Sequence, residues 1–212
     1  NSTTCYGYSG TSADGYFVPS GSTNASYYCN QGGSNGTGFS GNFLNYANTS
    51  AVDILRMALT GGDRFVDEKS TDVTTPKTIL QRAILPSDSS GTSRNTNFYD
   101  GDSGYDSGNN NWGKVSLAAG TLTAALTPFG STTTVVVKAC KDNIFFGTTA
   151  GGSCASPSTN ANLTVTNTAS AAVVGTFKAR VLVCDSTEGP VRTDLCQQQP
   201  DGFYKPIGEI QK

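Results

Sequence analysis

Six cysteines constrain the fold of this 212-residue chain more than any other feature of its sequence. They occur as three pairs of near neighbours, each bracketing a stretch rich in turn-forming residues: Cys5 with Cys29, Cys140 with Cys154, and Cys184 with Cys196. Six cysteines can pair in many ways, and sequential pairing is the simplest. Each such bridge would stabilise the fold by about 3 kcal/mol in the chain-entropy model. Disulfides on this scale imply an oxidising compartment, so we expect an extracellular protein.

The chain contains no histidine, which removes several kinds of site. A Cys/His zinc site and a Cys-x-x-Cys-His haem site both require histidine, and the sequence also has no Cys-x-x-Cys pair. Ser-His-Asp and Cys-His catalytic arrangements are excluded for the same reason, and paired cysteines leave no nucleophilic thiol. We therefore expect a protein that is not an enzyme.

Composition and charge argue against nucleic-acid binding and against a membrane span. Hydrophobic residues make up 36% of the chain and charged residues only 14%, with 25 glycines and many Ser, Thr and Asn residues in between. A formal net charge of −2 gives no long-range attraction to nucleic acid or to anionic lipid. The sequence has neither a signal peptide nor an apolar run long enough to span a bilayer, so we expect a mature, secreted chain without a membrane span.

The segment from Ser40 to Gly62 has the longest helical pattern in the chain. Its apolar residues recur at helical spacing: Phe43, Leu44, Ala47, Ala51, Ile54, Leu55, Ala58 and Leu59. Ser40 is a suitable N-cap, and Gly61-Gly62 can take the left-handed conformation that closes a helix. The pattern predicts one helix over about 42–59 with its Phe43 and Leu55 side in the core.

The rest of the chain predicts one more helix and then strands. Thr75 and Pro76 would begin a short helix that Pro86 ends. β-branched residues between Gly, Asn and Pro predict strands over 114–118, 121–126, 132–140, 143–146, 162–166 and 175–184. Residues 1–39 show no period and are expected to be irregular and held by a Cys5–Cys29 bridge. We predict an α+β fold in which two short-to-medium helices pack with a β-rich middle of five or six strands, stapled by disulfides.

Three segments of the chain match a known family: the helical segment Ser40–Gly62, the run Ile79-Leu-Gln-Arg-Ala-Ile-Leu-Pro86, and the C-terminal stretch from Arg180 through Leu195-Cys196 to Tyr204-Lys-Pro-Ile-Gly-Glu-Ile-Gln211. In this order they resemble the PilC/PilY adhesins of type IV pilus tips. The family usually has a von Willebrand A-like N-terminal region and a C-terminal β-propeller. The resemblance implies that this chain is the middle of that von Willebrand A-like region, without the propeller.

The resemblance also divides the chain into parts. We predict a single extracellular domain over 1–212. Within it, 1–86 would hold the Tyr/Gly-rich segment and the helices, 87–175 a β-rich insertion, and 176–212 a returning strand, a cysteine-bridged loop and the start of a helix.

The glycine-rich run from Tyr99 to Asn111 is the sharpest candidate metal site. Asp100, Asp102 and Asp106 could present several oxygens to one Ca²⁺ ion, although Asn111 stands where an EF-hand would have its closing Glu. The same residues are also good turn formers, and a loop without metal is the alternative interpretation.

Two functional hypotheses follow. The resemblance implies a non-enzymatic, cell-surface or pilus-associated module for adhesion, with minor pilins, other tip components or a host or surface ligand as partners. The alternative is a structural subunit of a self-assembling filament, whose partners would be copies of itself paired through exposed strands.

Overall fold

The structure is a computed structural model that describes residues 2–10, 14–49, 51–68, 76–83, 115–140, 143–147 and 175–211. Its helices and antiparallel sheets confirm the predicted α+β fold. The chain divides into two compact units: unit 1 comprises residues 1–49 and 84–179, and unit 2 comprises residues 50–83 and 180–212. That the whole chain is one domain stays a prediction.

Helices and strands are labelled in chain order. Those of unit 1 are β1 (Thr4–Ser9), β2 (Tyr16–Ser22), β3 (Phe39–Ser40), α1 (Gly41–Asn48), β6 (Val115–Leu117), α3 (Thr121–Leu126), β7 (Val135–Cys140), β8 (Asn143–Gly147) and β9 (Gly175–Lys178). Those of unit 2 are α2 (Ala51–Thr60), β4 (Arg64–Asp67), β5 (Thr78–Gln81), β10 (Arg180–Cys184), α4 (Glu188–Val191), β11 (Cys196–Gln198), β12 (Tyr204–Pro206) and a C-terminal 3₁₀ turn (Glu209–Gln211).

Unit 1 contains two groups of antiparallel strands. β1 pairs with β2 on one side and with β3 on the other, whereas β6, β7, β8 and β9 pair in sequence order. The expectation that residues 1–39 are irregular is therefore wrong. The segment lacks a polar–apolar alternation because Cys5, Tyr6, Gly7 and Tyr8 of β1 are all buried, so both faces of this strand are covered.

Aromatic rings fill the core of unit 1. Phe39 lies at its centre, with its ring centroid 4.9 Å from that of Phe146, 5.5 Å from Phe17 and 5.6 Å from Phe129. Tyr8 packs edge-on against Phe17, and its hydroxyl accepts a hydrogen bond of 2.9 Å from the Lys178 N–H. Edge-to-face packing suits the ring quadrupoles. The Tyr8 hydroxyl is buried beside these rings with a hydrogen-bond partner, so its burial leaves no unpaired hydroxyl there.

Unit 2 is built on a three-stranded antiparallel sheet in the order β10–β5–β4, beside the separate hairpin β11–β12. Its core cluster consists of Leu80, Val183, Cys184 and Cys196. The Cys184–Cys196 disulfide, with Cα atoms 6.0 Å apart, joins β10 to β11 within that cluster. The hairpin is thereby fixed to the sheet at one of its strands.

The prediction of one helix over about 42–59 is wrong, because this segment forms two helices, α1 and α2. α1 ends at Asn48, and Thr49 takes an extended conformation (φ −83°, ψ 127°) while its N–H still donates to the Asn45 carbonyl. Asn48, Thr49 and Ser50 are three successive residues whose side chains compete for backbone hydrogen bonds and lower helix propensity. α2 then begins at Ala51 in unit 2.

Two further helix and strand predictions are wrong. The predicted helix over 75–86 contains strand β5, because Thr78, Ile79 and Leu80 are buried between β4 and β10 and tertiary pairing outweighs local pattern. The predicted strand over 121–126 is helix α3. Its Thr123 hydroxyl donates to the Ala118 carbonyl at 2.6 Å, which satisfies a polar group that is fully buried.

The remaining strand predictions are confirmed in part. β6, β7 and β8 lie where strands were predicted, and 175–184 is extended but breaks at Ala179 into β9 and β10. The predicted strand over 162–166 falls outside the described residues. The expected start of a C-terminal helix is present only as the 3₁₀ turn, and the residues before it form strand β12 instead.

Candidate functional site

Helix α2 turns its apolar side to solvent. Five apolar residues share one face of the helix, and all five are exposed: Ala51, Ile54, Leu55, Ala58 and Leu59. Ile54 and Leu55 are 63% and 57% exposed, although residues of this size are normally buried. We call these five residues the outward stripe. None of the ten residues of α2, all of which the structure describes, is fully buried.

The opposite side of α2 faces the body of unit 2 and carries its polar residues. Asp53 accepts a hydrogen bond of 2.5 Å from the N–H of buried Ala83. Arg56 forms an ion pair of 2.9 Å with Asp63, and Met57 packs against the core cluster. The hydrogen bond of Asp53 and the packing of Met57 therefore attach this side of α2 to its unit, whereas the five-residue apolar face is left exposed.

Two glycines end α2 and set its position. Gly61 and Gly62 have φ of +75° and +101°, and their N–H groups donate to the Met57 and Arg56 carbonyls. This confirms the predicted left-handed closure of the helix. A Cβ on Gly61 would lie 2.6 Å from the Pro206 carbonyl oxygen, so a side chain there would clash with β12 as well as strain the backbone.

The C-terminal 3₁₀ turn extends the apolar surface next to α2. A Cβ on Gly208 would lie 2.1 Å from the Leu59 carbonyl carbon, so the turn approaches the last residues of α2 at backbone distance. Ile210 in this turn is 71% exposed. The outward stripe thus has a further large apolar residue near its C-terminal end, beside exposed Glu209, and exposed apolar surface of this kind marks interaction sites.

Charged side chains join β4 to β12 in the same unit. Arg64 donates to Asp67 at 2.8 Å and to the Pro206 carbonyl at 2.7 Å, and Lys205 donates to Asp67 and to the Glu68 carbonyl. Partial burial raises the pKa of Asp67, but the hydrogen bonds from Lys205 and Arg64 outweigh it and hold this pKa below its ordinary value. These contacts cover β4 with basic side chains, which blocks pairing with another strand there.

Phe65, one of two exposed residues of β4, makes a cation–π contact. The register of β4 against β5 shifts between Arg64 and Val66, so Phe65 lies in a bulge and is 43% exposed. The guanidinium of buried Arg180 lies 3.3 Å from the Phe65 ring centroid. This cation–π contact fixes the ring on β10 and makes Phe65 part of the framework of the sheet.

The structure shows two of the three predicted disulfide bridges and does not describe the side chains of the other predicted site residues. The Cys5–Cys29 and Cys184–Cys196 bridges are present, within unit 1 and unit 2 respectively. The predicted Cys140–Cys154 bridge involves residues whose side chains lie outside the described part, and so does the calcium site of Asp100, Asp102 and Asp106. Across the ranges that the structure describes, no group of three or more acidic or Cys side chains is arranged to hold a metal ion.

The sequence pattern correctly places the residues of the outward stripe on one face of a helix. The prediction that this face lies in the core is wrong for α2, because the face is exposed. A helical period reports which residues share a face, but the direction of that face depends on the backbone before the helix. The Asn48-Thr49-Ser50 triplet was the available signal, since residues of this kind interrupt a helix and so mark the segment after them as a separate helix.

Comparison with known proteins assigns a family. A family model described as "PilY1 homolog, small alpha/beta domain" matches residues 1–167. This chain belongs to that family. Over 82 residues it is 42% identical to the type IV pilus biogenesis factor PilY1 homolog of Xylella fastidiosa, a match that covers 38% of this chain and 6% of that relative. The chain thus spans a small part of the relative's length, and no solved structure matches it.

Within the described residues of this PilY1 homolog domain, no helix has the length and apolarity needed to cross a bilayer. The longest described helix is α2, with 10 residues.

Proposed function

We propose that this chain is a non-enzymatic, extracellular module of a type IV pilus biogenesis factor, and that it acts by binding proteins at the pilus tip or in adhesion. The observation that carries the proposal is the outward stripe of α2. A unit that turns Asp53 inward and exposes Ile54, Leu55 and Leu59 has surface suited to a protein contact.

The family supports the pilus part of the proposal. A relative named as a type IV pilus biogenesis factor contains the matched sequence, and pilus systems are assemblies of proteins, so pilus components are the partners we propose. The correspondence with the middle of the family's von Willebrand A-like region is part of this proposal. The calcium hypothesis for Asp100, Asp102 and Asp106 stays a prediction.

The two buried disulfides support an extracellular or cell-surface location. The four cysteines are no more than 5% exposed, and bridges of this kind form and persist in oxidising compartments. The absence of histidine from the sequence supports a role without acid–base or nucleophilic catalysis of the His-dependent kinds.

The test is a complementation assay. A strain that lacks the gene encoding this chain would be complemented with the natural sequence, with Leu55→Glu or with Tyr46→Glu. Surface pili would be counted by electron microscopy, and attachment would be measured on the same cells. We expect Leu55→Glu to lower pilus number or attachment, because it places a charge in the middle of the outward stripe.

Tyr46→Glu is the matched control, because Tyr46 is 79% exposed on α1 and lies outside the stripe. The purified variants should both melt like the natural protein. Normal piliation and attachment with a correctly folded Leu55→Glu protein would contradict the proposal.

A further inference from the structure

We infer that Met57 is a redox-sensitive anchor of helix α2, and that oxidation of its thioether to the sulfoxide by a peroxide releases the helix from unit 2. This inference goes beyond the proposed function, since it concerns how α2 is attached and not what binds its exposed face. Met57 is the single methionine of the 212-residue chain, so the chemistry is confined to one position.

The attachment of α2 to unit 2 is sparse. The ion pair of Arg56 and Asp63 joins side chains that are 42% and 31% exposed, and ion pairs at such exposure add little stability. Met57 packs against the core cluster, so it links the helix to the hydrophobic core of the unit. Four of the ten residues of α2 are half-buried and none is fully buried: Val52, Asp53, Arg56 and Met57.

The Met57 thioether is open to a small oxidant. The residue is only half-buried, so part of it meets solvent in the folded protein. Hydrogen peroxide gives one oxygen atom to the sulfur: the O–O bond breaks, an S–O bond forms, and the sulfur is oxidised by two electrons. The second peroxide oxygen leaves as water with both hydrogens. Thiols do not compete within the described residues, because no cysteine there is free.

The side chains of the core cluster have no donor for a sulfoxide. The cluster consists of Leu80, Val183 and the Cys184–Cys196 disulfide, none of which carries a side-chain N–H or O–H group. A sulfoxide oxygen is a polar acceptor, and leaving such a group unpaired in apolar surroundings is unfavourable. The oxidised side chain is therefore more stable in water, and reaching water means leaving the cluster.

A released α2 does not persist as a helix. It has 10 residues, fewer than the roughly 12 to 15 at which isolated helices become marginally stable in water. Loss of the Met57 contact should therefore unfold α2 locally, as happens first in segments with few buried contacts. Because the outward stripe lies on α2, the release would also remove that surface.

Helix α1 provides an internal control. It has 8 residues and is held by buried Phe43 and Ala47, and it contains no methionine. Peroxide should leave the exchange of its amides unchanged in the same sample.

Hydrogen exchange of the full chain, measured by mass spectrometry before and after dilute hydrogen peroxide, tests the inference. The mass should rise by one oxygen atom, located at Met57. We expect the α2 amides to exchange at least about tenfold faster in the oxidised protein, because the lost contact favours the open helix. Methionine sulfoxide reductases for both sulfoxide epimers should restore slow exchange.

Two variants separate oxidation of Met57 from other damage. Met57→Leu keeps an apolar side chain of similar size and high helix propensity but has no sulfur, so its α2 amides should exchange equally with and without peroxide. Met57→Gln also has high helix propensity and places a polar group against the cluster, so it should speed α2 exchange without any oxidant.

Four results would each overturn the inference. They are a Met57 that resists peroxide while free methionine in the same solution is oxidised, an oxidised protein with unchanged α2 exchange, an equal response in Met57→Leu, and equally faster exchange in α1. If oxidation leaves α2 unchanged while Leu55→Glu still lowers piliation, the inference fails and the proposed function stands. If oxidation releases α2 and piliation is normal in Leu55→Glu cells, the inference stands and the proposed function fails.

Discussion

Two consecutive helices in this molecule differ in the exposure of their apolar residues. α1 buries Phe43 and Ala47, which are 5% and 3% exposed, and turns Tyr46 to solvent. α2 begins three residues after α1 ends, yet it exposes Ile54 and Leu55 and directs Asp53 inward. The same sequence pattern thus forms a core contact in unit 1 and an open surface in unit 2.

The difference shows that the spacing of apolar residues in a helix predicts which side chains share a face but not whether that face is buried. The spacing of apolar residues fixes which side chains lie together, and this holds for both helices. Whether the stripe meets a core depends on the partners that the unit supplies. Unit 1 buries Phe43 and Ala47 of α1, whereas unit 2 supplies a hydrogen-bond donor, the Ala83 N–H, for Asp53 on the opposite side of α2.

The largest effect is expected at the centre of unit 1. Phe39→Ala removes a ring that is 1% exposed and contacts four other rings, so it should lower the free energy of unfolding by about 3 to 5 kcal/mol. Urea unfolding followed by circular dichroism measures this. Tyr46→Ala in the same unit is the control and should change little. Equal losses from the two variants would remove the contrast between core and surface.

The second effect tests how unit 2 is held together without a large aromatic core. The Cys184–Cys196 bridge closes a loop across 12 positions, and its loss should cost about 3 kcal/mol in the chain-entropy model. The double variant Cys184→Ser/Cys196→Ser avoids a free thiol. Its unfolding should shift while hydrogen exchange of unit 1 amides stays slow. Equal destabilisation of unit 1 would mean that the two units do not unfold separately.

A third prediction concerns a polar contact that attaches α2 to unit 2. Asp53→Ala removes the acceptor for the buried Ala83 N–H and should cost about 1 to 3 kcal/mol. Asp53→Asn retains an acceptor oxygen and should recover much of that loss. Thermal unfolding of both variants measures the difference. If the alanine and asparagine variants both lose little stability, the hydrogen bond from the Ala83 N–H to Asp53 does not hold the helix.

A smaller effect is expected at the β4–β12 contact and depends on pH. The pKa of Asp67 is lowered in the folded state, so its ion pairs stabilise the protein fully above the ordinary carboxyl pKa of about 4 and lose this effect as pH falls through the lowered pKa. Lys205→Met should therefore reduce Tm at neutral pH, and the gap from the natural protein should shrink in acid. A gap that is constant with pH would show that Lys205 acts by packing alone.

Residue chemistry made part of this structure predictable. The bridges of Cys5 with Cys29 and of Cys184 with Cys196, the strands β6 to β8, and the glycine closure at Gly61-Gly62 each depend on local sequence and were predicted. Strand β5 and helix α3 were not, because long-range pairing and packing decide short segments of mixed propensity.

The candidate site was the least predictable feature. The residues of the outward stripe were identified as one face, but the direction of that face within unit 2 follows from the Asp53 hydrogen bond and the Met57 packing on the opposite side. The hydrogen bond joins residues 30 positions apart in the sequence, and no local pattern encodes it.

Paired substitutions within α2 test the central claim most directly. Leu55 and Met57 lie two positions apart, and both have high helix propensity, so replacing either with alanine reports mainly on packing. Leu55→Ala should change the free energy of unfolding by no more than about 0.5 kcal/mol. Met57→Ala should cost about 1 to 2 kcal/mol, since Met57 packs against the core cluster. A larger loss for Leu55→Ala than for Met57→Ala would mean that the stripe faces the core, and would contradict the account.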